Sequence, residues 1–149
     1  MTDRLTFRYV TYIESTPDKV WDALTDADLT ADYWGHANVS DWQVGSGWEH
    51  RRTDGSEIAD VVGTVLVSDR PSRLVTTWAD PNEPGQEHTR VTFDIEGYGE
   101  IVRLTVTHED LPDDKNRDIA AHGWAAVMAN LKSLLETGHS LPRPPWEMP

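Results

Sequence analysis

Six histidines, a cluster of acids and no cysteine are the reactive material of this 149-residue chain. The histidines are His36, His50, His88, His108, His122 and His139. None forms a His-x-x-x-His pair on a helix, and none has a nearby carboxylate at a recognised ligand spacing, so the pattern assigns no metal site and no cofactor. Without cysteine there is no disulfide, thiolate ligand or cysteine nucleophile. No Gly-x-Ser-x-Gly elbow occurs, and Gly45-Ser46-Gly47 is too short to cradle a nucleotide phosphate. Glu109, Asp110, Asp113 and Asp114 could do paired acid–base work. Acids just ahead of a helix more commonly cap its N-terminus and favour its dipole, and that reading is preferred.

No catalytic residue is therefore assigned, with His108 kept as a weak candidate. It follows Val102, Leu104 and Val106 on the apolar side of an alternating strand, which turns it inward. Two roles are open to it: a polar anchor or general base at a cavity mouth, or a strand-end histidine bonded to a backbone carbonyl. The second is the commoner fate of such a residue.

The larger signal is aromatic. Seven tryptophans are present, and Trp covers much apolar area and stacks on flat ligands. Trp34, Trp42, Trp48, Trp78, Phe93 and Trp124, with the adaptable Met128 and His108, are the candidate ligand-binding residues. Lying on separate elements, they either line an apolar pocket or fill a core, and both readings stay open.

The elements that must position them follow from periodicity. Leu5 to Glu14 alternates as a half-buried strand. Thr16 then suits an N-cap and Pro17 the first helical position, with Val20, Trp21 and Leu24 on one helical face. A second short helix runs from Asp26 or Asp28 to near Gly35. Strands are expected from about Trp42 to His108. Trp48–Arg52 and Ile58–Val67 form a hairpin across Asp54-Gly55, a pair that supplies the positive φ angles of a tight turn. Gly63 marks a bend, bulge or close approach. Arg73–Trp78 is another strand, and the segment from Asp80 to Gly85 is a loop. Val91, Phe93 and Ile95, then Val102, Leu104 and Val106, alternate with polar residues, as in antiparallel strands with one solvated face. From about Asn116 to Thr137 a long amphipathic helix puts Ile119, Ala120, Gly123, Trp124, Val127, Met128, Leu131, Leu134 and Leu135 on one half of its surface. His122, Lys132, Ser133 and Glu136 fall on the other half, and Gly138 sits at the C-cap.

This order is an α+β arrangement: one long helix on an antiparallel sheet of six to seven strands, with two short helices after the first strand. Residues 1–141 read as a single domain of a size that supports a real core, and 142–149 as a mobile Pro-rich tail. The net charge of −13 excludes nucleic acid as a partner and disfavours anionic membrane surfaces. No apolar run is long enough to insert in a membrane. The N-terminus lacks the layout of a signal peptide, so a cytoplasmic location is expected.

The words themselves resemble a known family. Ile13 to Asp26 (IESTPDKVWDALTD) is similar to the opening of the START-like (SRPBCC) superfamily, and more narrowly to the branch of activators of the heat-shock protein 90 ATPase. Gly63, Pro71–Trp78, Val91–Phe93, Leu104–His108, Gly123-Trp124 and Leu131–Gly138 follow in that family's order, so the resemblance spans roughly residues 5 to 140. It implies a helix-grip fold: a curved antiparallel sheet around a long C-terminal helix, with a cavity between them. It also implies three functions to weigh. The first is binding of a small hydrophobic or aromatic ligand, without catalysis, in a stress response. The second is a polyketide cyclase/aromatase-like enzyme using His108. The third is a co-chaperone-like module for a bacterial-type heat-shock protein 90 homologue. A chain of this length has no room for the partner-gripping N-terminal domain of eukaryotic activators, which places chaperone activation third. A monomer and a homodimer are both compatible with the sequence.

Overall fold

The computed structural model describes residues 4–83 and 88–149. Met1 to Asp3 and the Pro84-Gly85 end of the expected loop lie outside the described residues. Strand β1 (Leu5–Glu14) leads into α1 (Pro17–Thr25) and α2 (Ala27–Trp34). Then come β2 (His36–Val39), β3 (Gly47–Arg52), β4 (Ala59–Asp69), β5 (Arg73–Trp78), β6 (Thr89–Tyr98) and β7 (Ile101–Leu111). The long helix α3 (Asp114–Thr137) follows, and a short 3₁₀ turn covers Pro145–Glu147.

The helix ends are chemically specified. Thr16 Oγ1 accepts the Lys19 N–H at 3.3 Å ahead of Pro17, and Asp26 caps α2 through the N–H groups of Asp28 and Leu29. Asp113 accepts from Asn116 N–H at 2.9 Å, so one member of the acidic cluster does the capping expected of it. Each such cap is worth ~1 kcal/mol. Gly35 and Gly138 close α2 and α3 in the left-handed conformation, at φ 75° and 91°, where only glycine sits without strain.

All seven strands join one antiparallel sheet in the order β1-β7-β6-β5-β4-β3-β2. Six of them form a meander, and β1 returns to pair with β7, Tyr9 opposite Val106 and Ile13 opposite Val102. The sheet is strongly curved and wraps the long C-terminal helix, the α+β helix-grip arrangement expected. Helix α3 lies over β1 and β7 and against α2. Ile13, Val20, Leu74, Val91, Leu104, Val106 and Leu131 are among the fully buried side chains between the layers. No helix among the described residues is long and apolar enough to cross a membrane.

Two local expectations change. Strands begin before Trp42, because β2 pairs with β3 directly after the Gly35 cap, His36 opposite Arg52. Trp42 itself lies in a loop at φ 57°, held there by its indole N–H on Thr25 O (2.8 Å) and its backbone N–H on Ser40 Oγ (3.0 Å). Ile119, on the apolar half of α3, is 60% exposed.

The C-terminal residues make specific contacts with the body. Asn130, 1% exposed on α3, donates from Nδ2 to Tyr33 O and to Arg143 O, both at 3.1 Å, and its Oδ1 accepts the Leu141 N–H at 3.2 Å. Pro145 is buried. The Trp146 ring lies over Gly35, where a Cβ would stand 2.3 Å from Cη2, and meets the His36 ring edge-to-face at 5.6 Å. A buried Asn and a glycine-floored seat supply the anchoring that Pro-rich composition cannot express.

Candidate functional site

The aromatic residues divide into two groups. Trp42, Trp48 and Phe93 converge with Leu24, Leu74 and Thr76 around a space of only about 10 Å³. These three therefore fill the core and do not line a usable pocket, and Met128, 1% exposed, is likewise packed away. Trp48 is fixed by its indole N–H, which donates to Thr77 O at 2.9 Å. That bond passes over Gly63, which pairs with Trp48 across β3 and β4. A Cβ at Gly63 would fall 1.8 Å from Thr77 O and 2.5 Å from the Trp48 nitrogen. The close approach marked in the sequence by Gly63 is thus between a tryptophan side chain, a glycine and a third strand.

Trp34, Trp78, Trp124 and His108 instead line a cavity of about 570 Å³ between the sheet and α3. The ring centroids of Trp34 and Trp124 lie 5.5 Å apart, those of Trp78 and Trp124 5.4 Å, and those of Trp34 and Trp78 6.1 Å. Trp34 and Trp78 also touch the filled core, so they form the partition between packed interior and open space. Helix α3 adds Ile119, Ala120, Gly123 and Val127, and Arg4, Asp60, Asp80 and Asn116 stand among the remaining lining residues. A second lobe, of about 810 Å³, shares Trp34 with the first and is walled by His36, His50, Pro145 and Trp146, with Lys115, Asp118 and His122 of α3.

His108 is 8% exposed. Its Nδ1 accepts the Trp124 indole N–H at 3.1 Å. An indole nitrogen can only donate, so Nδ1 carries no proton and Nε2 does. Nε2–H then donates to Thr89 Oγ1 at 2.8 Å, and that hydroxyl donates to Trp78 O at 3.3 Å. Burial pushes the His108 pKa down to about 4, so the ring is neutral at pH 7 and both of its nitrogens are engaged. Such a ring positions two tryptophans and has no lone pair available for a substrate proton. Its link to a backbone carbonyl runs through Thr89.

Asp60 and His50 are similarly occupied. Asp60 takes Arg52 on both oxygens, at 2.9 and 3.0 Å, and His36 Nε2–H at 2.9 Å; these partners hold its pKa down at about 2. His50 stacks flat on His36 at 4.2 Å and bonds Asn38 Oδ1 through Nδ1 at 2.6 Å. Burial, then the adjacent His36, depresses its pKa to about 3, against an opposing pull from Asp60. Among the described residues no group of His, Asp and Glu has the arrangement to hold a metal. Among the described residues, the buried indole N–H of Trp78 and Nδ1 of His36 have no hydrogen-bond partner.

The alternation of β7 and the period of α3 point His108 and Trp124 inward. Asp60, Thr89, Gly123, His36, His50 and Trp146 join the site unannounced. Only Gly123 carried a signal, as a glycine inside an otherwise good helix.

A curved antiparallel sheet gripping a long C-terminal helix, with an aromatic cavity between them, defines the START-like class. Within it the chain belongs to the family described as Activator of Hsp90 ATPase homolog 1-like protein, whose model matches residues 14–136. Among curated proteins none matches. Solved structures agree on the fold. A protein of Bordetella parapertussis is 26% identical over 95% of this chain and 78% of its own, with a TM-score of 0.71. The Aha1 dimer of Colwellia psychrerythraea is 22% identical over 90% and 98%, with a TM-score of 0.73. An HSP90 activator of Plasmodium falciparum is 19% identical over 87% and 95%, with a TM-score of 0.72.

Proposed function

We propose that the protein binds a small, flat hydrophobic or aromatic molecule in the cavity between sheet and α3, without catalysis. The observation that carries this reading is the trio Trp34, Trp78 and Trp124 around about 570 Å³ of open space. That volume falls within the range of small-molecule sites, which are mostly apolar with few polar groups. Burying ligand surface at ~25 cal/mol per Å² supplies affinity with few hydrogen bonds. The engagement of both His108 nitrogens supports a binding role over a cyclase-like one. Titration with a panel of naphthalene-, anthracene- and sterol-sized compounds, read by tryptophan quenching and thermal shift, tests the proposal. Saturable quenching with a raised melting temperature is expected. A flat response across the panel would remove it.

A second reading rests on the family. A protein of this fold is described as an HSP90 activator, and the net charge of −13 suits a basic chaperone surface. An ATPase assay with a heat-shock protein 90 homologue tests it, and an unchanged rate at saturating protein would dismiss it.

A further inference from the structure

The two lobes share four lining residues: Trp34 on one side, and Ile119, Gly123 and Val127 on the other. The last three are spaced i, i+4 and i+8, so they form a single ridge along α3. That ridge, facing Trp34, is what separates the lobes. At its centre stands a residue with no side chain. A Cβ built at Gly123 meets nothing within 4 Å, so no close packing requires a glycine there. Its backbone is helical, so no turn requires one either. Glycine inside a helix is unfavourable relative to alanine, and nothing in the fold offsets that cost. What the missing side chain does is leave a notch between the lobes.

Resting on the ligand-binding reading above, we infer that both lobes form one continuous site for an elongated apolar molecule that crosses α3 at Gly123, and that Gly123 sets the length of ligand accepted. The ligand class is a neutral or weakly polar molecule with an extended alkyl or fused-ring body. One end is held among Trp34, Trp78 and Trp124, and the other reaches the Trp146 wall. Gly123 is a specificity-determining residue that acts through the space it leaves.

The test uses the full chain and a ladder of linear alcohols from six to fourteen carbons, with affinities from tryptophan quenching. Wild type is expected to gain about fourfold in affinity per added methylene across the ladder. In G123L the gain should stop partway, with short alcohols bound as in wild type and the longest weakened at least tenfold. A125L, enlarged at an exposed helix position that lines neither lobe, should follow wild type. G123A should melt about 3 °C higher, as helix propensity predicts when packing is not disturbed. Should G123L not fold, I119W narrows the same ridge from an exposed position and is read in the same way. Equal lengthening gains in wild type and in the ridge variants would overturn the joined-lobe inference and leave single-lobe binding standing. A wild type that binds no alcohol and no panel compound would overturn both.

Discussion

The indole N–H of Trp124 donates to Nδ1 of His108 at 3.1 Å, joining α3 to β7 across the cavity wall. The bond settles three matters together. It selects the Nε2–H tautomer, it orients the Trp124 ring toward Trp34 and Trp78, and it occupies the lone pair that a general base would need. An inward histidine in an aromatic cavity looks catalytic in isolation; paired this way it is a positioning residue for the walls.

His108 makes stability depend on pH. Its folded pKa of about 4 lies below the ordinary histidine value of about 6.5. Between those values the unfolded chain binds more protons than the folded one, so stability rises with pH. The contribution is fully present above pH 6.5 and is lost as pH falls through 4. The 2.5-unit gap corresponds to about 3 kcal/mol. Urea melts of wild type and H108Q at pH 7.5, 6, 5 and 4 should show a steeper acid loss in wild type. Parallel profiles would contradict this. His50, depressed to about 3, extends the wild-type loss further into acid.

Replacing Trp124 by Phe removes the donor and leaves a buried acceptor on His108. Such an orphan costs about 1–3 kcal/mol. Urea unfolding of W124F at pH 7.5 should show that loss, and a change below about 0.5 kcal/mol would mean that the Trp124–His108 bond does not organise the wall.

Alanine at Gly63 is expected to be among the most damaging single changes. Its Cβ would overlap Thr77 O at 1.8 Å, and backbone cannot yield as a flexible side chain can. The separation of β4 and β5 and the Trp48–Thr77 bond would both be lost. Destabilisation should exceed about 4 kcal/mol, the exceptional end of single substitutions. Thermal denaturation of G63A that matched wild type within about 1 kcal/mol would refute the close-approach account.

The docked tail depends on two residues distant in sequence. N130A removes the acceptor of Leu141 N–H and the donor to Tyr33 O and Arg143 O, a loss of about 2–3 kcal/mol. G35A places a methyl group against the Trp146 ring. Both variants should release residues 142–149, seen as faster proteolysis there and as a Trp146 emission shifted to the red. A tail equally protected in both would show that its anchoring lies elsewhere.

Much of the architecture can be read without coordinates because its signals are local. Thr16-Pro17 starts α1, Asp54-Gly55 turns β3 into β4 with Gly55 at φ 88°, and the alternations of Val91–Ile95 and Val102–Val106 give β6 and β7. These features depend on neighbours within a few residues, so the chain itself contains the full cause. Strand β2 escapes such reading. It has four residues, no alternation, and exists because β3 offers it an edge.

The site is legible only halfway, for a physical reason. Periodicity determines which side of an element a residue faces, and so it turns Phe93, His108 and Trp124 toward the interior. It cannot say whether that interior is filled. Trp48 became core because Gly63, fifteen residues away, lets its indole lie flat against Thr77. Trp124 became a cavity wall because His108, sixteen residues earlier, holds its nitrogen and because Gly123 beside it fills nothing. Sequence alone decided the facing; the curvature of the sheet and contacts between distant residues decided where the tryptophans pack solid and where they leave room.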